Sequence, residues 1–173
     1  TEPVSYTKQD SGALRSAVFN EIQKVCDRQQ VCAAAEAAED RRQDGNFGER
    51  EFTRIDQAIA LGALFTAHKL GAKAIVAMTE SGSTALWMSR HRVHIPIYAL
   101  TPKVSTQRKM ALYRNVRPLL MATSTERDKA LVQAESHLRM RGIVKPGDVY
   151  AITCGEPMGQ PGGTNMLQIC QVQ

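Results

Sequence analysis

The stretch Ala74–Thr84 reads AIVAMTESGST and joins two contrasting halves. Its first five residues are wholly apolar, which is typical of a strand buried on both faces of a sheet. The polar half precedes a helix predicted near Ser83–His91. A buried strand that ends in a polar turn before a helix indicates an open α/β sheet, in which ligands bind at the carboxyl ends of the strands.

The residues before this stretch predict a helix over 54–70. Apolar residues recur there at three-and-four spacing, at Ile55, Ala58, Ile59, Gly62 and Phe65. Thr53 and Asp56 resemble a capping box, and Gly71 resembles a C-cap. Further upstream, residues 11–40 have a helical composition. We therefore expect an N-terminal helical extension or linker over residues 1–50 and one domain over residues 51–173.

Strands and helices continue to alternate after the opening stretch. The predicted order is strand 95–100, helix 105–114, strand 117–122, helix 125–141, strand 149–153 and strand 164–172. The alternation predicts a parallel sheet with helices on both faces. The link 154–163 is too short for a crossover helix, so the last strand should pair antiparallel. The predicted fold class is α/β: a three-layer α/β/α domain around a five-stranded, mainly parallel mixed sheet.

Charge is unevenly distributed along the chain. Residues 1–50 hold 7 basic and 9 acidic side chains (−2), whereas residues 51–173 hold 15 and 8 (+7). Asp and Glu are absent between Ser81 and Thr125, where Arg90, Arg92, Lys103, Arg108, Lys109, Arg114 and Arg117 all fall. The positive charge implies an anionic partner, for which phosphate is the obvious candidate.

Two polar loops are the candidate phosphate-binding sites. The first is the strand-to-helix turn, Thr79, Glu80, Ser81, Gly82, Ser83 and Thr84. The second is the loop 154–163, with Gly155, Gly159, Gly162 and Gly163. Helix N-terminal amides and hydroxyls favour an anion at the first loop, where Gly82 would let a ligand approach the backbone. Alternatively, the Ser and Thr residues only cap the helix, and the glycines only serve a wide hairpin.

Other chemistries find little support in the sequence. The histidines His68, His91, His94 and His137 are scattered, and no GxSxG elbow occurs. The four cysteines lack CxxC spacing, so we expect reduced thiols. Near the loops stand only Glu80 and Glu156, too few carboxylates for Mg²⁺. We expect no cofactor or metal in this chain, and no catalysis by it alone. Without a long apolar run, we expect a cytoplasmic protein with no membrane partner.

Five blocks in order carry a family resemblance. They are RIDQAIALGALFTAHKLGAKAI, VAMTESGSTALWMSR, IPIYALTP, RKMALYRNVRPL and KPGDVYAITCGEPMGQPGGTNMLQI. Together, over about Phe52 to Val172, they resemble the carboxy-terminal regulatory domain of bacterial pyruvate kinase. The resemblance implies a domain that follows a catalytic barrel, which transfers phosphate from phosphoenolpyruvate to ADP and holds Mg²⁺ and K⁺. None of the barrel's motifs occurs here, so those ions are implied only for the barrel.

The same resemblance implies an allosteric role. The family's effector pocket is built from a TxSGx[ST] loop and a Gly-rich loop, which match residues 79–84 and 154–163. Members that bind a sugar bisphosphate often place a basic residue just after the loop glycine, where this chain has Ser83, or beside the second loop, where it has Glu156. With Glu80 also present, we expect a monophosphate, such as ribose 5-phosphate, glucose 6-phosphate or AMP, rather than fructose 1,6-bisphosphate. A homotetramer is implied, with subunit contacts partly through the helices and last strand of this domain.

Two other hypotheses remain open from the sequence. The chain could be a stand-alone protein of the same fold that binds small anions or phosphorylated metabolites. It could also bind nucleic acid through the basic stretch Lys103–Arg117, with Tyr98 and Tyr113 nearby. That stretch matches no recognised nucleic-acid motif, so we expect no nucleic-acid partner.

Overall fold

The computed structural model describes Gln30 and residues 52–122, 124, 126–159 and 163–173. All of these except Gln30 belong to one compact unit, Gln43–Gln173. The predicted extension over residues 1–50 lies outside the described residues apart from Gln30, and so does Gly162. The proposed domain boundary at residue 50 stays a prediction.

The described part of the domain alternates helices and strands as the sequence predicts. In chain order the elements are α1 (Ile55–Lys69), β1 (Ala74–Met78), α2 (Ser83–Ser89), β2 (Ile97–Thr101), α3 (Val104–Met110), β3 (Val116–Leu120), α4 (Arg127–Met140), β4 (Val149–Gly155) and β5 (Thr164–Gln171). The strand order is β3-β2-β1-β4-β5. Four strands are parallel, and β5 pairs antiparallel with β4. The predicted fold class is confirmed.

The core consists of one apolar layer on each face of the sheet. In β1, alternate residues face opposite sides, so Ile75 and Ala77 join one layer while Val76 and Met78 join the other. Helices α1, α2 and α3 cover the first layer, and α4 covers the second. The helices therefore flank the sheet on both sides, and the carboxyl ends of the parallel strands share one edge.

The start of α1 differs from the prediction. Its N-cap is Arg54, which makes no side-chain cap bond, so the predicted capping box of Thr53 and Asp56 is wrong. The carboxylate of Asp56 instead accepts two hydrogen bonds from the Arg54 guanidinium, at 3.0 and 2.7 Å. This pairing satisfies a carboxylate that is only 3% exposed.

The buried face of α1 also differs from the apolar stripe read in the sequence. Ile55 and Phe65 are 69% and 43% exposed. The residues that face the sheet are mainly small, namely Ala60, Leu61, Ala63, Leu64 and Ala67. Alanine lets the helix lie close to the sheet, so the spacing of the larger residues predicted the helix but not its orientation.

Candidate functional site

A cleft opens at the carboxyl edge of the sheet, where the two predicted loops meet. It is lined by Met78, Thr79, Glu80, Leu100, Pro102, Met121, Ala122, Gly155, Met158, Gly159 and Thr164. The first loop contributes Thr79 and Glu80, and the second contributes Gly155 and Gly159. The cavity volume is about 40 Å³, so the cleft is small. The topology thus brings both loops to one place, as parallel strands with a shared edge require.

The hydroxyls of the first loop cap the first turn of α2. Thr79 Oγ1 accepts a hydrogen bond from the Gly82 N–H at 2.9 Å. Ser81 Oγ accepts one from the Ser83 N–H at 3.4 Å and donates to Ser83 Oγ at 3.2 Å. The capping alternative therefore describes part of this loop. The hydroxyls of Thr79 and Ser83 only accept in these bonds, so each still carries a donor hydrogen, whereas Ser81 would have to exchange its bond to Ser83 for one to a ligand.

Gly82 is required by the protein's own packing. Its φ is +81°, in the left-handed region. A Cβ added at this position would lie 3.0 Å from Met110 Cγ and 3.5 Å from Thr106 Cγ2. The space beside Gly82 is therefore filled by side chains of α3. The expected close approach of a ligand to the backbone at this glycine stays a prediction.

Thr84 ties the first loop to the end of the second. Its side chain is fully buried, and its Oγ1 lies 2.6 Å from Thr164 Oγ1. Thr164 is also buried, and it lines the cleft. Sequence reasoning did not select Thr164, although its place directly after the glycines, at the start of β5, was a usable signal.

Glu80 is held in place from two directions. Its carboxylate lies 3.1 Å from Lys103 Nζ, and its side chain is 13% exposed. Its backbone carbonyl accepts a hydrogen bond from Thr106 Oγ1 at 3.0 Å. The negative charge of Glu80 is thus paired with a cation that sequence reasoning did not place at the site. Lys103 belongs to the stretch without acidic residues, which was the available signal.

The second loop is anchored at its base. A Cβ at Gly155 would lie 2.6 Å from the Gly163 carbonyl oxygen, so this position admits only glycine. The Asn165 side chain accepts a hydrogen bond from the Glu156 N–H at 2.9 Å and donates to the Glu156 carbonyl at 2.7 Å. Gly159 has a φ of +85°. These contacts fix the described ends of the loop beside the cleft.

Charged side chains of the second loop are also engaged. Glu156 lies 3.4 Å from the guanidinium of Arg127, at the start of α4.

Burial raises the pKa of the neighbouring Cys154 thiol to about 11. A protonated, buried thiol is a poor nucleophile at neutral pH. In the described part of the domain, His, Cys, Asp and Glu side chains do not gather in groups of three or more that could hold a metal ion.

The two tyrosines near the basic stretch are not fully exposed rings: Tyr98 is buried and Tyr113 is partly buried. Tyr98 is buried, and its hydroxyl accepts a hydrogen bond from Arg117 at 3.0 Å. The Tyr113 hydroxyl is buried as well. Proteins that bind single strands use exposed aromatic rings, so these two tyrosines do not support a nucleic-acid role.

Comparison with known proteins assigns the family. The family described as "Pyruvate kinase, alpha/beta domain" matches residues 57–170. A pyruvate kinase of Buchnera aphidicola subsp. Baizongia pistaciae is 40% identical over 123 residues, covering 70% of this chain and 26% of the relative. A pyruvate kinase of Buchnera aphidicola subsp. Acyrthosiphon pisum is 36% identical over 143 residues, covering 82% and 30%. A pyruvate kinase of Staphylococcus aureus is 34% identical over 160 residues, covering 92% and 27%.

The chain spans less than a third of the length of each of these relatives. None of the helices in the described part of the chain has the length and apolarity needed to cross a membrane. The matched residues include both loops, the first four strands of the sheet and residues 164–170 of β5. The chain therefore belongs to the pyruvate kinase family and contains its carboxy-terminal α/β domain.

Proposed function

We propose that this chain is the regulatory part of a cytoplasmic pyruvate kinase and that its cleft binds a phosphorylated effector, either a sugar monophosphate or AMP. In the whole enzyme a catalytic barrel would transfer phosphate from phosphoenolpyruvate to ADP with Mg²⁺ and K⁺. The observation that carries the proposal is the meeting of the two loops across one cleft, joined by the bond between Thr84 and Thr164. One anion at this place would contact both loops.

Phosphate suits the donors that surround the first loop. Ser81 and Ser83 are half-buried, and their hydroxyls lie at the start of α2. The positive end of the helix dipole adds to their attraction for an anion. The Lys103 ammonium is about half exposed and lies beside the same loop through its ion pair with Glu80. Hydrogen bonds from the Lys103 ammonium to a phosphate would be charge-assisted, and charge-assisted hydrogen bonds are stronger than neutral ones.

A single phosphate fits the local charges better than two. Glu80 and Lys103 form an ion pair, so together they add no net charge beside the first loop. Beside the second loop, Arg127 at the start of α4 is shared between Glu156 and Asp128. A second phosphate near either carboxylate would meet repulsion without a fully available cation. We therefore propose that the effector carries a single phosphate group.

Calorimetric titration with ribose 5-phosphate tests this proposal. We expect Ser81→Ala to weaken binding by about tenfold, because a charge-assisted hydrogen bond is lost. Ser105→Ala removes an exposed hydroxyl at the start of α3 and should leave the affinity unchanged. An undetectable affinity of the full chain for sugar phosphates and AMP, or equal affinities for both variants, would contradict the proposal.

We also propose that the chain forms homo-oligomers through α1 and β5. Ile55 and Phe65 leave large apolar surfaces on the outer side of α1, and Ile169 is 38% exposed on β5. Among the described strands β5 lies at one edge of the sheet, and an edge strand can pair with another chain. An effector would regulate the enzyme by binding one quaternary arrangement better than another.

Analytical ultracentrifugation tests the assembly. We expect Phe65→Asp to shift the chain toward the monomer, because it places a charge in an apolar contact. Val132→Asp changes a residue that is 71% exposed on α4, and it should leave the mass unchanged. A full-chain mass that equals the monomer at all concentrations would overturn this proposal.

A further inference from the structure

We propose that Pro118 and Gln107 form an edge guard that stops β3 from pairing with β5 of a second copy of this chain. Among the described strands, β3 and β5 lie at the two edges of one sheet. A sheet with two open edges can add copies without limit, because a contact between unlike edges need not close on itself. With β3 guarded, association through the sheet ends at two copies.

The backbone groups of β3 point alternately toward β2 and away from it. The Asn115 carbonyl, just before the strand, accepts a hydrogen bond from a β2 N–H at 3.0 Å. The Met121 N–H, just after the strand, donates to a β2 carbonyl at 3.0 Å. Both residues therefore face β2, and alternation along the strand places the backbone groups of Val116, Pro118 and Leu120 on the outer side.

Two of these three outer residues are closed to an incoming strand. Pro118 has no N–H to donate, and its carbonyl accepts a hydrogen bond from the Gln107 side-chain amide at 3.5 Å. The Val116 N–H already donates to the Tyr113 carbonyl at 3.2 Å. Proline is tolerated on an edge strand in this orientation because the missing N–H removes no bond from the sheet. Gln107, which belongs to α3, completes the guard.

The outer side of β5 has no comparable block. Both backbone groups of Val172 bond to the turn before β4, at 2.8 and 2.9 Å. Val172 therefore faces β4, and alternation turns Leu167, Ile169 and Gln171 outward, each with a backbone N–H. β5 is also the longer edge, with eight residues against five in β3. The two edges are thus unequal, and only β5 presents a continuous row of donors and acceptors.

Sedimentation of the full chain over a range of concentrations tests the guard. Pro118→Val with Gln107→Ala restores an outward N–H and releases the carbonyl of residue 118. We expect the mass of this double variant to rise with concentration to severalfold that of the unchanged chain, without a ceiling, because copies join β3 to β5. Pro146→Val with Gln133→Ala removes an exposed proline from a turn and an exposed amide from α4, and it should keep the mass of the unchanged chain.

A third substitution identifies the edges that join. Ile169→Pro removes an outward N–H from β5 without removing a bond to β4, so adding it to the double variant should abolish the growth. Growth that persists in this triple variant would overturn the proposal. A double variant that is folded by circular dichroism and keeps the mass of the unchanged chain would overturn it as well.

The measurement is kept decisive by a milder variant. If the double variant does not fold, Pro118→Val alone is compared with Pro146→Val, with growth expected only in the first and equal masses refuting the guard. The guard is also separable from the proposed oligomers. A monomeric unchanged chain would contradict those oligomers, while growth of the double variant would still support the guard.

Discussion

The hydroxyl pair of Thr84 and Thr164 allows a quantitative test of how the two loops are held together. Thr84 is fully buried, Thr164 is 6% exposed, and their oxygens are 2.6 Å apart. Valine keeps the shape of threonine, so either single Thr→Val change leaves one buried hydroxyl without its partner. Such a loss costs about 1–3 kcal/mol of the free energy of unfolding. The double variant leaves no orphaned hydroxyl, so it should cost clearly less than the sum of the two.

Urea unfolding followed by circular dichroism measures these free energies. A control pairs Thr164→Val with Thr101→Val on β2, because β1 and β4 separate β2 from β5. Sites that far apart should give additive changes, within about 0.5 kcal/mol. If the two hydroxyls of the cleft also give additive changes, they do not interact, and the reasoning about the joined loops is refuted.

Three further changes test the surroundings of the cleft. Gly155→Ala should lower the free energy of unfolding by about 1–3 kcal/mol, because the new Cβ would lie 2.6 Å from the Gly163 oxygen. The raised pKa of Cys154, about 11, means that the unfolded chain loses this proton first. Stability should therefore fall as the pH rises from about 9 to about 11, and it should fall less steeply in Cys154→Ala. Lys103→Gln removes the partner of Glu80 and should weaken ribose 5-phosphate binding by about tenfold.

Matched variants control two of these experiments. Gly62→Ala adds a methyl group inside α1 at an ordinary contact distance of 3.9 Å from Leu167, so it should not destabilise the chain. Lys109→Gln removes an exposed charge from α3 and should leave the affinity for ribose 5-phosphate nearly unchanged. The explanation for Gly155 would be contradicted if Gly62→Ala lowered the free energy of unfolding as much as Gly155→Ala does. The explanation for Lys103 would be contradicted if Lys109→Gln weakened ribose 5-phosphate binding as much as Lys103→Gln does.

Much of the fold could be predicted because the buried strands of a parallel sheet are continuous apolar runs in the sequence. AIVAM is continuous and apolar since β1 is covered on both faces and paired on both edges. The antiparallel direction of β5 followed from the shortness of the link 154–163, which leaves no room for a helix. Both predictions depend on local pattern and on chain length, which a single sequence contains.

The orientation of α1 and the caps of its first turn could not be predicted in the same way. Which face of a helix is buried depends on the fit to the sheet, and the small residues Ala63 and Ala67 fit better than Ile55 or Phe65. The Asp56 carboxylate accepts hydrogen bonds from Arg54 and does not cap the amides of the helix. These choices are settled by tertiary packing.

The position of the site followed from topology, but its detailed contacts did not. Thr79 and Glu80 of the first loop and Gly155 and Gly159 of the second were selected from the sequence, and they line one cleft. Lys103, Thr164 and Met110 come from elsewhere in the chain and were missed. Their contacts depend on the register between strands and helices, which no local motif encodes.

The central claim is that a phosphorylated metabolite binds at the first loop. The most direct measurement is the backbone amide NMR spectrum of the full chain during a titration with ribose 5-phosphate. We predict that the amide signals of Ser81, Ser83 and Thr84 shift and saturate together. Shifts confined to the exposed basic residues Arg108 and Lys109 of α3, or no shift at the first loop, would contradict the claim.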